Sequence, residues 1–467
     1  MSENSKIFER IIDEDLAMGH KMHDLMEKLF PICRSITGNG LRKSLKILQE
    51  IIPLKIIETP TNTQVYDWKI PKEWNINDAY IKNSKGEKII DFQKSNLHVL
   101  NYSAPINKKI SFEELKSHVF TLENNPDVIP YRTSYYQENW GFCMSHKQFL
   151  EMKDDEYEVF IDSKLESGSM SYGEYFIQGE SDKEVLLSCY PCHPSMCNDN
   201  LSGVVLLTYI ANCLKNLSLK YSYRFLFVPE TIGAITWLSR NEKNTKNISH
   251  GLVATCLGDA GISTYKKSRQ GNAEIDKIAL EVLTESGEDF NVIDFAPIGS
   301  DERQFCSPGF NLPIGSLART LAPHFKEYHT SNDNLDFVKA EFLGNTFKKY
   351  LKIISKLEQN FNKNIHSENK IKANETKNGR LLINTNPKCE PQLGKRNLYH
   401  AIGAQTPSQA GQKISNQLAS LWILNYSDGK HSLSEIAELS GYDMEQLENM
   451  TNILIDVGLL KEMKKNA

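Results

Sequence analysis

Two histidines and a set of carboxylates are the residues of this chain best suited to do chemistry. His193 stands in PCHPSMCNDNLSG, six residues ahead of Asp199. Glu230 stands in PETIG, Asp259 in GDAG and Asp301 in GSDERQF, while His329 stands in EYHTSNDN just ahead of Asp333. Imidazole nitrogen and carboxylate oxygen suit a borderline ion such as Zn²⁺, which they hold at about 2.0–2.2 Å. A carboxylate can also bridge two such ions about 3.5–4 Å apart. A bound metal lowers the pKa of water to about 7, and a free glutamate beside it can then carry protons in a hydrolysis. No two of these residues form a close helical pair of the HExxH kind, so the pattern rests on distant segments converging.

The runs ahead of these residues show how they would converge. EVLLSCY (184–190), YRFLFVP (223–229) and GLVATCLG (251–258) read as buried strands. Residues 201–214, 232–238 and 273–284 have helical apolar spacing. This alternation predicts an α/β layered domain with a largely parallel sheet. Ligands of such sheets sit beyond the carboxyl ends of the strands, where His193, Glu230 and Asp259 fall.

The remaining segments differ in texture. Ile7, Ile11, Ile12, Leu16 and Met22 begin a helical lead-in that runs over 7–58. Prolines, aromatics and short alternating runs make 61–165 a β-rich insertion. Residues 358–380 are polar and rich in Lys and Asn, as in a linker or solvated segment. Beyond it, 415–424, 432–440 and 443–456 read as three helices, with Ser432 and Glu435 spaced as a capping box. VGLLKEM then reads as a short strand or wing. The expected units are a helical lead-in at 1–60, an inserted β-rich domain at 61–165, an α/β domain at 166–385 and a C-terminal domain at 386–467.

Composition narrows the function. The chain has 467 residues, 40% hydrophobic and 24% charged, the balance of a globular protein of roughly three folding units. Lys+Arg 54 against Asp+Glu 59 leaves a net charge of −5. That excludes a general nucleic-acid binder, which needs surplus cations to displace phosphate counterions. It also argues against a polybasic membrane-surface protein. No stretch approaches the roughly 20 apolar residues of a membrane helix. The first residues lack the basic-then-apolar pattern of a signal peptide. The nine scattered cysteines read as reduced thiols. The expected location is cytoplasmic.

Six motifs together carry a resemblance: LFPICRSITGNG, PYRTSYYQENWGFCMS, CHPSMCNDNLSG, PETIG, GSDERQFCSPGFNLP and EYHTSNDNLDF. The chain resembles the zinc-dependent aminopeptidase superfamily over nearly its whole length. It is most similar to a bacterial aminopeptidase-like branch often encoded among surface-polysaccharide biosynthesis enzymes. The resemblance implies a layered sheet with helices on both faces, an inserted β domain and a C-terminal winged helix. It also implies one or two zinc ions. By position, His193 matches the first histidine ligand, Asp199 the bridging aspartate, Asp259 the third-strand aspartate and His329 the histidine of the second site. Glu230 matches the general base. Three positions depart from the pattern: Thr231 replaces a second glutamate, Ser195 an orienting carboxylate, and Glu302 a frequent histidine.

The implied activity is zinc-dependent, aminopeptidase-like hydrolysis of an amide bond, in a small peptide or an N-acylated amino sugar. The alternative is a non-catalytic, metal-containing binding or scaffold protein with the same fold, for which Thr231 speaks. Arg269, Arg303 and Arg319 are candidates to grip an anion. Tyr131, Arg132, Trp140 and Phe142 are candidates for a wall from the inserted domain, and Asp301 for orienting a loop. Trp422 and Leu424 are expected in the core of the tail. The tail helices are acidic, so the winged helix is expected to mediate protein docking or homo-oligomerisation rather than DNA binding.

Overall fold

The computed structural model describes residues 3–362, 379–399, 402–405 and 412–463. Among them the largest sheet has eight strands: β1 Lys55–Pro60, β2 Ser169–Ile177, β3 Glu184–Cys189, β4 Ser222–Phe227, β5 Ile248–Ala254, β6 Ser263–Lys266, β7 Phe290–Ile293 and β8 Ile314–Ala318. Their spatial order is β1-β2-β4-β3-β5-β8-β6-β7. The centre is parallel, with β3 between β4 and β5, and β5 beside β8. The pairs β1–β2, β2–β4 and β8–β6 are antiparallel, so the sheet is mixed. All of EVLLSC in β3 is buried, as an apolar strand covered on both faces must be. Val185 and Leu187 face one core and Leu186 the other. Parallel strands end together: Cys189 of β3 is level with Phe227 of β4. The residues that follow β3, β4, β5 and β8 therefore meet along one edge.

Helices hold both faces. Ser202–Leu214 carries no charged residue and is buried on almost every side, as an interior helix is. Asp15–Leu29 crosses Ala340–Asn360 where two glycines allow close approach. A Cβ at Gly19 would stand 1.9 Å from the Ala340 carbonyl oxygen, and one at Gly344 2.3 Å from that of Asp15. On the opposite face Ile232–Asn241 buries Trp237.

The lead-in is not helical throughout. Three helices, Glu3–Asp13, Asp15–Leu29 and Asn39–Gln49, give way to β1, which joins the main sheet. The β-branched pair Ile56–Ile57 ahead of Pro60 favours an edge strand over a helix. The insertion forms a four-stranded sheet in the order Lys88–Asp91, Glu73–Lys82, Glu156–Glu166, Ile106–Ser111. Its own core includes Ile81, Phe142 and Val159.

The C-terminal unit draws its central strand, Leu381–Asn384, from ahead of residue 386 and pairs it with Asp428–Ser432 and Leu460–Glu462. Its helices are Gln412–Tyr426, Leu433–Ser440 and Met444–Asp456. The Ser432–Glu435 capping box is formed. Trp422 and Leu424 are buried in the core that this unit shares with the main sheet. Arg269 docks the unit through Asn425 and Asp428, each at 2.8 Å, rather than gripping an external anion. Of the polar stretch 358–380, residues 363–378 lie outside the described residues.

Arg42 ties the insertion to the main sheet. It meets both oxygens of Glu73 at 2.7 and 2.6 Å, and also reaches Glu58 at 3.2 Å and the Ser169 hydroxyl at 3.0 Å. The Arg42 N–H groups hold the Glu73 carboxyl at about 2, below its ordinary 4.5. A depressed carboxylate contributes stability above its unfolded pKa and loses it as pH falls through the folded one. Arg42→Leu is expected to lower stability at pH 7 by about 1.5–3 kcal/mol, the usual worth of hydrogen bonds to charged groups. Urea titrations should show that deficit shrinking from pH 4.5 towards pH 2, because protonation then breaks the pair in the parent chain as well.

Candidate metal centre

The loops after β3 and β8 bring together what their spacing could not show. His193, Asp199 and His329 are buried, and their ligand atoms all lie within 4.8 Å of one another. His329 Nε2 stands 2.9 Å from Asp199 Oδ2, and His193 Nε2 3.8 Å from the same oxygen. Yet neither Asp199 Oδ2 nor His329 Nε2 has a hydrogen-bond partner. An unpaired buried polar atom costs about 1–3 kcal/mol. Two at close range, with His193 Nε2 within 4.8 Å of both, fit a shared cation. The protonation states agree. Burial pushes the His193 imidazolium down to about 4, leaving the neutral ring that a metal requires. Burial pushes the Asp199 carboxyl up, but His193, His329 and Tyr190 outweigh it and hold it at about 2. Two imidazoles and a carboxylate are a donor set for zinc.

Each ligand is braced from behind. His329 Nδ1 lies 3.1 Å from the Ala404 carbonyl oxygen, which fixes the proton on Nδ1 and leaves Nε2 free to bind. The Tyr190 hydroxyl donates to Asp199 Oδ1 and lies 2.7 Å from the Thr255 hydroxyl. Asp333 accepts the N–H groups of Asn198 at 2.6 Å and Asp199 at 2.9 Å. The buried Arg34 donates to the His193 carbonyl at 3.0 Å. Each of the four loops also carries one non-glycine residue with positive φ: Ser195 at 41°, Thr231 at 64°, Cys256 at 55° and His329 at 54°. Such conformations cost of order 1–3 kcal/mol and persist only where the surroundings fix them.

Asp259 is not brought into the group of three. Its Oδ1 accepts from the Thr320 hydroxyl at 2.6 Å and the Gly261 N–H at 2.7 Å, and its Oδ2 from Asn198 Nδ2 at 2.9 Å. It secures the loop that carries Asp199. The loop after β5 reaches Asp199 through Thr255 and Tyr190 instead.

Glu230 stands on the cavity side, its Oε2 3.9 Å from His193 Nε2 and its side chain 27% exposed. Burial, then the carboxylates of Asp301 and Asp199, push its carboxyl up. Asp301 accepts the Thr231 N–H at 2.7 Å, so it orients the Glu230 loop as expected. Arg303 Nη2 donates to the Thr231 hydroxyl at 2.9 Å, and its Nε faces Glu390 at 3.0 Å. Arg319 is held by Asn345 at 3.0 Å and Glu302 by Lys266.

A cavity of about 420 Å³ opens over His193, Glu230 and His329. Tyr131, Tyr135 and Trp68 wall it on one side and Glu390, Tyr399 and Ala404 on another. Trp140 instead stacks on His118 at 3.6 Å, and Phe142 lies in the core of the insertion. The sequence does not single out Tyr190, Arg34 or the wall residues Glu390, Tyr399 and Ala404. Arg34 alone had a local signal, a lone arginine in LFPICRS beside buried apolar residues.

A family model described as a domain of unknown function, DUF4910, matches residues 23–360, and a winged helix-turn-helix model matches 380–462. The chain belongs to the DUF4910 family. It is 52% identical over 452 residues to a Clostridium acetobutylicum protein, covering 97% of this chain and 98% of that one. That relative bears the provisional name of a polysaccharide biosynthesis protein with an aminopeptidase-like domain. A crystal structure from C. acetobutylicum, provisionally described as a peptidase, matches with TM-score 0.74 and 51% identity over 97% of this chain and 99% of that one. A zinc aminopeptidase from Bacillus subtilis matches with TM-score 0.54 and 12% identity over 74% of this chain and 94% of that one. At that identity the likeness shows the fold: this DUF4910 protein has the aminopeptidase-like α/β fold followed by a winged helix.

The geometry separates Asp199 from Asp259 experimentally. If the group of three holds zinc, Asp199→Asn and His329→Ala are expected to bind none after dialysis, whereas Asp259→Asn, which loosens the loop without removing a ligand, should still bind it with affinity lowered by about 10–100-fold, as read by elemental analysis over a zinc titration. Equal loss in Asp259→Asn would place that residue among the ligands after all.

Proposed function

We propose that this DUF4910 protein is a zinc-dependent hydrolase of amide bonds, with His193, Asp199 and His329 as ligands. The observation that carries the reading is the unpaired approach of Asp199 Oδ2 and His329 Nε2 at 2.9 Å in a buried setting. When bound, zinc polarises a carbonyl and activates water near neutral pH. Glu230, on the cavity wall beside His193, takes the proton of the attacking water and delivers it to the departing nitrogen. Tyr131 packs against both histidines, with ring centroids 5.1 and 5.2 Å away, and keeps bulk water from the ligands. Asp259 acts from outside, by holding the Asp199 loop.

The substrate is an amide of a small peptide or of an N-acylated amino sugar. The name of the C. acetobutylicum relative favours a role in surface polysaccharide biosynthesis. All nine cysteines are free, in keeping with the cytoplasm. Among the described residues no helix is long and apolar enough to cross a membrane. Helices Leu433–Ser440 and Met444–Asp456 hold no lysine or arginine, which favours protein contact or self-association over DNA for the winged helix.

A second reading, a metal-containing scaffold without turnover, is favoured by Thr231, whose hydroxyl is occupied by Arg303. Glu230→Gln distinguishes the two. Zinc should stay bound while turnover of aminoacyl amides or N-acetyl sugars falls by about 10²-fold or more. Zinc without turnover in the parent chain favours the scaffold, and loss of zinc in Glu230→Gln makes Glu230 a ligand.

A further inference from the structure

We propose that a segment of the C-terminal unit, between its strand Leu381–Asn384 and its helix Gln412–Tyr426, completes the metal centre: the Ala404 carbonyl orients His329, and docking of residues 402–405 is coupled to zinc binding. This rests on the zinc reading above and adds a role for a segment that supplies no ligand.

The contacts form one lattice from three distant stretches of chain. The Ala404 carbonyl oxygen receives His329 Nδ1 at 3.1 Å and Arg132 Nη1 at 3.0 Å. The same Arg132 nitrogen donates to the Tyr131 carbonyl at 2.7 Å, and Arg132 is buried. The Gly403 N–H donates to the Thr133 carbonyl at 2.8 Å, closing an antiparallel bridge between these residues. The Tyr131 N–H in turn donates to the His329 carbonyl at 2.8 Å. Residues 402–405 thus lie clamped against the 131–133 strip, and that strip is clamped against the His329 loop.

Two details show that the clamp aims a carbonyl rather than filling space. Ala404 has φ of 63°, a left-handed conformation that alanine adopts only under constraint. In that conformation its carbonyl meets both Arg132 and His329. Gly403 lies so close to the strip that a Cβ would stand 2.4 Å from the Thr133 hydroxyl oxygen. A histidine whose Nδ1–H is fixed by an acceptor presents Nε2 in one direction. Losing such an outer contact typically weakens metal binding by about 10–100-fold. Coupling of this kind is reciprocal, so zinc holds the segment as firmly as the segment holds zinc. The arginine that serves the site is therefore Arg132, as a positioning residue.

The test uses the full chain, with Zn²⁺ as the probe. Gly403→Ala drives a methyl group onto the Thr133 hydroxyl, and should weaken zinc binding by about 10–100-fold in competition with a chromophoric chelator. Adding Thr133→Ala removes that oxygen and should restore the affinity, a rescue that general destabilisation would not give. Parent-like affinity in Gly403→Ala overturns the proposal, and so does a double variant as weak as the single one. In the parent chain, amide exchange over 386–405 should slow when zinc is bound. Identical exchange in zinc and in chelator overturns the coupling but leaves the metal centre standing. A parent chain that takes up no zinc at all overturns both.

Discussion

A carboxylate stripped of water is the constraint around which this molecule is organised. Asp199 is buried at the edge of the main sheet with one oxygen satisfied by Tyr190 and the other facing two imidazoles. Leaving a buried charge uncompensated costs several kcal/mol. The surroundings accordingly converge on it. Asp333 grips the backbone of Asn198 and Asp199. Asn198 is in turn held by Asp259, and its side-chain oxygen accepts the Gly258 N–H at 2.8 Å. The loops after β3, β5 and β8 are locked to one another through these side chains and Asp301 holds the loop after β4, which is how each can keep a left-handed residue next to the site.

The legible part of the fold was the part governed by local pattern. Continuous apolar runs such as EVLLSC can only be covered strands, and the strand ends then placed His193 and Glu230 on a common edge. The lead-in misled because the helical spacing of its first fifty or so residues masked the short edge strand Lys55–Pro60, whose pairing with β2 is a tertiary fact. Asp259 was a reasonable ligand by residue type and position. Its carboxylate is spent on Thr320, Gly261 and Asn198, and only the folded loop reveals that. Tyr190 was hidden for the opposite reason: a tyrosine closing a buried strand reads as core, and its hydroxyl gains meaning only once Asp199 lies beside it. The aromatic wall divided the same way, since Tyr131 reaches the histidines while Trp140 turns to His118.

Thr231 deserves to be weighed with its neighbours rather than as a missing carboxylate. A second glutamate there would add an anion to a corner already holding Glu230 and the buried Asp301. Burial pushes both of those carboxyls up, and repulsion adds to it, from Asp301 and Asp199 at Glu230 and from Glu302 and Glu390 at Asp301. In its place the threonine hydroxyl accepts from Arg303, whose guanidinium also faces Glu390. Arg303 thus offsets part of the negative charge that Glu230, Asp301 and Glu390 bring to this corner.

Chemistry and recognition are built from different parts of the chain. The candidate ligands and Glu230 come from the loops of the sheet, the part of the fold shared with a zinc aminopeptidase at only 12% identity. The cavity walls come from the insertion, through Trp68, Tyr131 and Tyr135, and from the winged-helix unit, through Glu390, Tyr399 and Ala404. Function resides in such grafted surfaces more than in the fold that carries them. The 420 Å³ cavity is lined by residues of both added units, so its shape is set by the insertion and the tail as much as by the sheet.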